Sequence, residues 1–492
     1  MIKTELIDSK KYPPQNVIKD ILDIILYNNR YIKSYLSLAK LISDDYHIKN
    51  VESLPPLCDF LFYKEYGIKL GRSKNFGVYE SENLEIYKEN TVYRAIMNND
   101  KERFIIFTER CGFDKDQRLK SYLYPYPCYR YSLIELCCYY GAVDCFKFLR
   151  TKFNSAINKE CLKFSFLGGN PDIMSECLKY QEPDKGCMEF AIISHNIDFV
   201  TFLMNEYNIE IDLYDCTNYK NLDSFLVYFD QTDDVNNCFV YSTIFKIESL
   251  CEYFLSHGAD VNGKDIYGQA TLQYAVSENS KEIVQLFISH GANINEKNES
   301  GETTLQIAAS NNNKEIAELL ISHGVNVNEK NVDGETALHT AVNFNCKEIV
   351  ELLLSCGANV NEKDKYGNTA LHKITQNACN ETVQLLLSYG ANVNEKDKHG
   401  ETTLHKIAWD KYKEFADLLL SCGANVNEKD NREQTALHKA AKNNSKEIAE
   451  LLISHGINID DKDEDCKTAL HIATQNNCKE TTELLISHGA KI

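Results

Sequence analysis

Apolar residues in the C-terminal half of the chain recur in a pattern of two short amphipathic segments separated by polar turns. The stretch Asp364–Lys396 is typical, and its apolar groups have the spacing of helix faces. Thr369 is a favourable N-cap for a first helix that begins at Ala370, and Gly390 follows the second helix as its stop. The positions that define the two faces are Leu371, Ile374, Thr375, Val383, Leu385, Leu386 and Leu387. The pattern predicts a unit of turn, helix, break and helix.

This unit is repeated with a fixed period of 33 residues. A glycine ends the second helix each time, at Gly258, Gly291, Gly324, Gly357, Gly390, Gly423, Gly456 and Gly489. Asparagine, which tolerates the left-handed region, stands at the break in five of seven units, at Asn279, Asn312, Asn345, Asn444 and Asn477. One unit cannot bury both of its apolar faces alone, so the repetition predicts a solenoid in which neighbours cover each other.

Three sequence features at this period, T-x-L-H, an L-L-L/I run and G-A-N-V-N, resemble the ankyrin repeat. The resemblance covers residues 265–492 as seven units and implies an all-α solenoid of helix-turn-helix units with short hairpin turns. It also implies binding of partner proteins on the concave face. The turn glycine, present at Gly367, is replaced by Glu433 and Cys466 in the last two units, where we expect less regular turns.

Residues 1–90 form a different segment, with helical patterns at 16–29, at 32–42 and after Pro55-Pro56. Residues 91–264 repeat the helix pairs in degenerate form, interrupted by an insertion at 118–131 whose prolines forbid a regular helix. The combination resembles the expanded ankyrin proteins of trichomonad protists, whose N-terminal domain has no assigned function. We therefore predict three domains: 1–90, 91–264 and 265–492.

Composition narrows the functional classes. The 492 residues carry a formal net charge of −19, which argues against a nucleic-acid backbone as the main partner. The 18 cysteines are scattered, and neither a signal-peptide pattern nor an apolar run of membrane-spanning length occurs. These features predict a cytoplasmic monomer with reduced, mostly buried thiols.

The histidines of T-x-L-H suggest a metal ladder, but units about 10 Å apart cannot share one ion. They are His339, His372, His405, His438 and His471. The resemblance implies that each one hydrogen-bonds locally and ties its turn to the neighbouring unit. Known enzyme motifs are absent from the sequence, and the adjacent Cys137 and Cys138 have the pattern of core thiols. We predict no catalytic residue, no metal and no cofactor.

Variable positions are the candidate partner-binding residues. The turn tips and the ends of the first helices are expected to line the concave face. The candidates are Phe344, Tyr366, His399, Trp409, Asp410 and Arg432. Trp409, the only tryptophan, stands where other units have a polar residue, so it is either a binding anchor or a side chain folded back near Tyr412.

Three functions stay open on the sequence alone. The first is a non-catalytic scaffold that binds a partner protein on the repeat surface. The second is an adaptor whose N-terminal region recruits another partner, such as a ubiquitin ligase subunit or the cytoskeleton. The third is an enzyme with an unrecognised site in residues 1–264.

Overall fold

The computed structural model divides the chain into two compact units, Met1–Asp234 and Val235–Ile492. It describes residues 13–51, 54–71, 73, 76–80, 90–126, 128–265, 268–374, 380–410 and 412–491, without the side chains of Glu80 and Asp410. Both units are built almost wholly from helices. Within the described residues, no helix is both long and apolar enough to cross a bilayer.

The first unit begins with the three helices that the sequence predicts. These are α1 (Pro14–Asp23), α2 (Ile32–Asp45) and α3 (Pro56–Tyr66), followed by the short α4 (Gly77–Glu80). The chain between α1 and α2 forms two 3-10 turns, at Ile24–Leu26 and Asn29–Tyr31. The apolar face of α1, formed by Val17, Ile18, Ile21 and Leu22, is buried.

Paired helices follow, as predicted from the degenerate repeats. They are α5 (Val92–Met97) with α6 (Lys101–Thr108), α7 (Leu133–Tyr140) with α8 (Val143–Phe153), α9 (Lys159–Gly168) with α10 (Pro171–Leu178), α11 (Lys185–Ile193) with α12 (Ile197–Tyr207), and α13 (Leu213–Asn218) with α14 (Leu222–Thr232). Each first helix ends at a residue with positive φ: Asn99, Gly141, Gly169, His195 and Lys220. The left-handed break is therefore kept where the sequence signature is lost.

The insertion at 118–131 contains a strand pair that the sequence did not predict. Strands β1 (Arg118–Leu119) and β2 (Tyr131–Ser132) pair antiparallel, with Arg118 opposite Ser132. Tyr124, in the loop between the strands, and Tyr131 are both fully buried, with ring centroids 4.8 Å apart. The insertion thus contributes aromatic core, and strands of two residues are too short to show a period.

The second unit opens with one more helix pair, α15 (Val235–Ser242) and α16 (Glu248–Ser256), joined by a 3-10 turn at Thr243–Phe245. The regular repeats follow. Their helices are α17 (Thr271–Ser277), α18 (Lys281–Ser289), α19 (Thr304–Ser310), α20 (Lys314–Ser322), α21 (Ala337–Asn343), α22 (Lys347–Ser355), α23 (Asn380–Ser388), α24 (Thr403–Asp410), α25 (Lys413–Ser421), α26 (Ala436–Lys442), α27 (Lys446–Ser454), α28 (Ala469–Gln475) and α29 (Lys479–Ser487). All five predicted break asparagines and all eight stop glycines have positive φ.

One first helix is shorter than predicted. Thr369 is the N-cap as expected, but the helix after it is a 3-10 turn over Ala370–Lys373, and Ile374 has left it with ψ 124°. Thr375 lies outside the described residues. The corresponding Ile407 of the next repeat lies within α24, so the short turn belongs to this repeat and not to the repeat pattern.

The turns that lack glycine are as regular as the others, so the expected irregularity is wrong. Glu433 and Cys466 adopt φ values of 57° and 60°. Their N–H groups donate to the main-chain oxygens of Asp430 and Asp463 at 3.0 and 2.9 Å. The cause lies in the aspartate side chain. Asp430 Oδ1 accepts N–H bonds from Arg432 at 2.8 Å and from Gln434 at 2.9 Å, which sets the turn without glycine.

Polar ladders join each repeat to the next in sequence order. Lys363 Nζ lies 2.7 Å from a Glu395 carboxylate oxygen and donates to the main-chain oxygen of Lys396 at 3.0 Å. Asn361 Oδ1 accepts the N–H of Asn392 at 2.8 Å. The ion pair recurs as Lys264–Glu296, Lys297–Glu329, Lys330–Glu362, Lys396–Glu428 and Lys429–Asp461. Stacking between repeats thus explains why the residues N-V-N-E-K are repeated along the chain.

Candidate partner-binding surface

The tips of successive turns form a continuous row in the second unit. The main-chain oxygens of Asp333, Tyr366 and His399 each accept an N–H bond at 2.9 Å from the next turn, and Arg432 accepts one at 3.1 Å. We call these four residues the turn-tip row. Three of its members are predicted site residues, so the structure brings Tyr366, His399 and Arg432 together on one exposed edge.

Tyr366 is the aromatic member of the turn-tip row and is 41% exposed. The ammonium groups of Lys398 and Lys365 lie 4.0 and 5.1 Å from its ring centroid. Cations near a ring face are attracted to it by about 0.5–1 kcal/mol at exposed sites, which favours this orientation of the ring. Tyr366 is therefore a positioned, half-exposed aromatic side chain.

A second row is formed where the first helices end. This row consists of the two residues that precede the break position of each repeat, such as Asn343 with Phe344 and Trp409 with Asp410. We call it the helix-end row. Phe344 is 57% exposed and Trp409 is 43% exposed, with the ammonium of Lys442 located 5.2 Å from the indole centroid. The Asn443 side-chain amide donates to the main-chain oxygen of Trp409. The side chain of Asp410 lies outside the described residues.

The two aromatic residues of the helix-end row are not neighbours. The 3-10 turn of Ala370–Lys373 contacts both α21 and α24 and so lies between the helices that carry Phe344 and Trp409. With about 10 Å between packed helices, the two side chains are roughly 20 Å apart. The turn-tip row lies beyond the N-terminal ends of the first helices, and a seven-residue helix alone separates the two rows by about 10 Å. The candidates therefore form two rows and not one pocket.

Between the rows, sequence reasoning missed a set of lysines on the exposed side of three consecutive first helices. Lys373 lies 2.9 Å from Asp364 and 2.5 Å from Glu335 of the preceding repeat. Lys439 repeats this with Asp430 and Glu401, and Lys406 with Asp397. Lysine at one position in three successive repeats was the signal that could have revealed this set.

These ion pairs fix the turn carboxylates in their charged form. Burial acts to raise the pKa of Asp364, but hydrogen bonds from Lys373 and Asn368 outweigh it and lower the pKa to about 2. The three lysines of this set face five carboxylates, so the region between the rows is paired but carries an excess of negative charge.

The histidines of T-x-L-H are structural. His372 Nδ1 accepts the N–H of Thr369 at 3.1 Å, and Nε2 donates to the main-chain oxygen of Glu401 in the next repeat at 3.2 Å. Burial lowers the pKa of His372 to about 4, with the nearby Lys406 acting in the same direction. In the part of the chain that the structure describes, no group of three or more histidine, cysteine or acidic side chains is placed to hold a metal ion.

The first unit contains a cavity of about 540 Å³ that bears on the enzyme hypothesis. Ser194 and His195 both line it, but Ser194 Oγ donates to Ala191 O at 2.8 Å and His195 Nε2 lies 3.1 Å from Tyr219 O. Both side chains thus engage the main chain and not each other. The thiols of Cys137 and Cys138 are fully buried, and burial raises the pKa of each well above that of an ordinary thiol.

Comparison with protein families agrees with this geometry. A family model described as Ankyrin repeats (3 copies) matches residues 218–298, 272–364, 356–430 and 404–492, which together exceed half of the chain. The chain belongs to the ankyrin repeat family. A second model, Domain of unknown function (DUF3447), matches residues 153–228. No curated protein matches the chain. The ankyrin match starts well before residue 265, so it takes in α15 and α16 together with the regular ankyrin repeats.

Proposed function

We propose that this ankyrin repeat protein is a non-catalytic scaffold that binds a partner protein along the turn-tip row and the helix-end row. The observation that carries the proposal is the display of Phe344, Tyr366 and Trp409, each at least 41% exposed, on a stack held by bonds between repeats. Exposed aromatic side chains on a rigid surface are typical binding anchors, because little conformational entropy is lost when they are covered. His399, Asp410 and Arg432 would contribute the polar contacts around them.

Photo-crosslinking tests this proposal in the full-length protein. A photoreactive phenylalanine analogue at position 344 or 409 should form a crosslink to one partner in native cells. The same analogue at Glu351, an exposed position on the second helix α22, serves as the control. Equal crosslinking from all three positions would show that the rows are not the binding surface.

Alanine substitution gives the energetic test with the partner so identified. Trp409→Ala should weaken binding by about 2 kcal/mol, roughly 30-fold, if Trp409 is an anchor. The thermal melt should stay nearly unchanged, because the side chain is 43% exposed. A lower melting temperature with unchanged affinity would instead make Trp409 a packing residue.

The same proposal places the protein in the cytoplasm as a monomer. The match of a domain of unknown function beside ankyrin repeats supports grouping it with the trichomonad ankyrin proteins that it resembles.

A further inference from the structure

Three successive turns of the second unit display cations beside an aromatic ring. Tyr366, His399 and Arg432 are the turn-tip residues there, and Lys398 precedes His399 in the same turn. We call these four residues the tip cluster. The turns are in direct contact, because the N–H of Lys398 donates to the main-chain oxygen of Tyr366 at 2.9 Å. The N–H of Asn431 donates to that of His399, also at 2.9 Å. The tip cluster is therefore one continuous surface, and all of it lies within the described residues.

Two cations of the tip cluster have no carboxylate partner. Lys398 and Arg432 are exposed, and among the described residues neither of them forms an ion pair. By contrast Lys396, two positions before Lys398, pairs with Glu428 at 2.8 Å. The ammonium of Lys398 instead lies 4.0 Å from the ring centroid of Tyr366. The cluster thus offers two positive charges and a half-exposed ring to an anionic partner.

The turn aspartates beneath the cluster do not oppose an anion there. Asp397 and Asp430 are each at most 7% exposed, and they face the lysines between the rows. Asp397 lies 2.9 Å from Lys406, and Asp430 lies 2.7 Å from Lys439. Charges more than about 8 Å away are largely screened at physiological ionic strength. A segment in contact with the cluster is therefore governed by these nearby groups more than by the net charge of −19.

Exposed carboxylates mark the two ends of the cluster. Asp333 occupies the tip before it, and Glu464 and Asp465 occupy the turn after it. Glu433, in the last turn of the cluster, lies 3.6 Å from the ammonium of Lys429. These acidic flanks confine an anionic segment to three successive turns.

The spacing of the turns fits a segment in the polyproline II conformation. Stacked repeats follow one another at about 8–10 Å, the distance between packed helices. A polyproline II helix has about three residues per turn and rises about 3.1 Å per residue, so every third residue returns to the same face after about 9 Å. In a β-strand the third residue points to the opposite face. A carboxylate at every third position of a polyproline II segment would therefore meet one turn after another.

We propose that the tip cluster binds an extended, proline-rich partner segment that carries an acidic residue at every third position. This inference rests on the proposed function and specifies its partner at the turn-tip row. The first carboxylate would meet Lys398, the middle one would accept a ring N–H of His399, and the last would meet Arg432. Tyr366 would pack against a proline, since aromatic side chains are the usual docking surface for polyproline II segments. Such a segment loses little entropy on binding, because its conformation is formed in advance.

The test uses the full-length protein and a rhodamine-labelled peptide of three Glu-Pro-Pro units, followed by fluorescence anisotropy. We expect saturable binding that becomes at least tenfold weaker with the Lys398→Glu/Arg432→Glu protein. Binding should change less than twofold with Lys413→Glu/Lys446→Glu, which alters the net charge equally at the exposed lysines that begin α25 and α27. Thermal melts of each variant establish that it is folded.

Charge exchange gives a second measurement. A peptide of three Lys-Pro-Pro units should bind the Lys398→Glu/Arg432→Glu protein at least tenfold more tightly than the Lys413→Glu/Lys446→Glu protein. General attraction to an acidic chain is the same in both, because their net charges are equal. A peptide of the first composition with its three glutamates consecutive tests the spacing, and it should bind the parent protein at least threefold more weakly.

Three results would overturn the inference. One is the absence of saturable binding at peptide concentrations up to about 1 mM. Another is an equal loss of binding in both charge variants, which would mean that only net charge matters. The third is equal binding of the spaced and the consecutive glutamates. None of these results affects the proposed function, because positions 344 and 409 lie in the other row and their crosslinks report any partner, whatever its chemistry.

Discussion

At the scale of the residue, the histidine position of the repeat shows what the fold demands of a side chain. The site needs an acceptor toward the N-terminus of its own helix and a donor toward the next repeat. Gln273 and Gln306 meet the same two demands in the first two regular repeats. Gln306 Oε1 accepts the N–H of Thr303 at 2.8 Å, and Nε2 donates to Glu335 O at 2.6 Å. The repeated motif indicated a structural role, and glutamine in its place makes the same two kinds of hydrogen bond.

The buried histidines predict a dependence of stability on pH. Burial lowers the pKa of His339, His372, His405 and His438, to about 4 for His372 against an ordinary 6.5. The unfolded chain then binds more protons between these values, so stability is full above about pH 6.5 and is lost as the pH falls toward 4. For His372 alone the loss at pH 5 is about 2 kcal/mol.

Replacing all four histidines by glutamine should remove this dependence and keep the hydrogen bonds. We expect the free energy of unfolding of the variant, measured in urea, to stay close to that of the parent at pH 7. Between pH 7 and pH 5 it should fall by several kcal/mol less. Equal losses for both proteins would show that other groups cause the acid sensitivity.

Other residue contacts were beyond sequence reasoning because they join distant parts of the chain. Lys373 pairs with Glu335, which is 38 positions earlier and lies in another repeat. Asn29 donates to the main-chain oxygen of Leu123, 94 positions away, at 2.7 Å. The period predicts which repeats are neighbours, but it does not predict the side-chain rotamers that form such pairs. The sequence left open whether Trp409 is displayed or folded back near Tyr412, and the structure leaves its side chain 43% exposed.

At the scale of the element, the turn between repeats shows which local rules matter. The sequence predicted a positive φ at Gly367, and the structure confirms it at 78°. The loss of glycine at Glu433 and Cys466 was expected to loosen the turns, but the aspartate side chains hold them. Helix pairs and breaks could be predicted from spacing, whereas the early end of the helix after Thr369 has no counterpart in the repeat pattern.

Substitutions at two equivalent turn positions, Gly367 and Glu433, should change the free energy of unfolding in opposite directions. A Cβ atom at Gly367 would lie 2.8 Å from the main-chain nitrogen of Lys398 in the next repeat, and φ there is left-handed. Gly367→Ala should therefore lower the free energy of unfolding by about 1–2 kcal/mol. Glu433→Gly relieves a non-glycine residue at φ 57° and should raise it by about 0.5 kcal/mol, since glycine also increases the entropy of the unfolded chain.

Urea unfolding of the two single variants and the parent measures both effects. The expectation is wrong if Glu433→Gly destabilises the protein as much as Gly367→Ala does. That result would mean that the turn aspartate does not compensate for the missing glycine. Both substitutions lie at the same position of their repeats. Because Glu433→Gly also removes a carboxylate 3.6 Å from the Lys429 ammonium, Glu433→Ala serves as the control for the loss of that pair.

At the scale of the whole molecule, the period of 33 residues was sufficient to predict stacked repeats in sequence order. The regular signature begins at residue 265, where the sequence analysis places a domain boundary, and contacts group the chain into Met1–Asp234 and Val235–Ile492. A helix pair that covers the next one belongs to the same compact unit whether or not it keeps the signature. The predicted domains 1–90, 91–264 and 265–492 stay predictions.

Truncation tests how far each unit extends. In the second unit, Phe239 of α15 and Phe287 of α18 are fully buried, with ring centroids 5.1 Å apart. Lys246, after the first turn of this unit, pairs with Glu278 at 3.2 Å. A fragment of residues 265–492 loses these covers and exposes Phe287. It should unfold with a free energy at least about 3 kcal/mol lower than a fragment of residues 235–492, since burial of one phenylalanine contributes about 2–3 kcal/mol and α15 covers more than one side chain.

The first unit gives the complementary expectation. Residues 1–90 lose the bonds of Asn29 to Leu123, of Arg30 to Tyr140 and of Leu26 to Tyr139 when they are cut from the rest of their unit. A fragment of residues 1–90 should show no cooperative thermal transition by circular dichroism, whereas residues 1–234 should melt in one. A cooperative melt of residues 1–90 would instead favour an independent N-terminal domain, which is what an adaptor with its own recruiting helices requires.

Asn29 is fully buried between these contacts, and its Oδ1 accepts the hydroxyl of Tyr140 at 2.6 Å. Asn29→Ala within residues 1–234 should therefore lower the melting temperature, because the Tyr140 hydroxyl loses that acceptor.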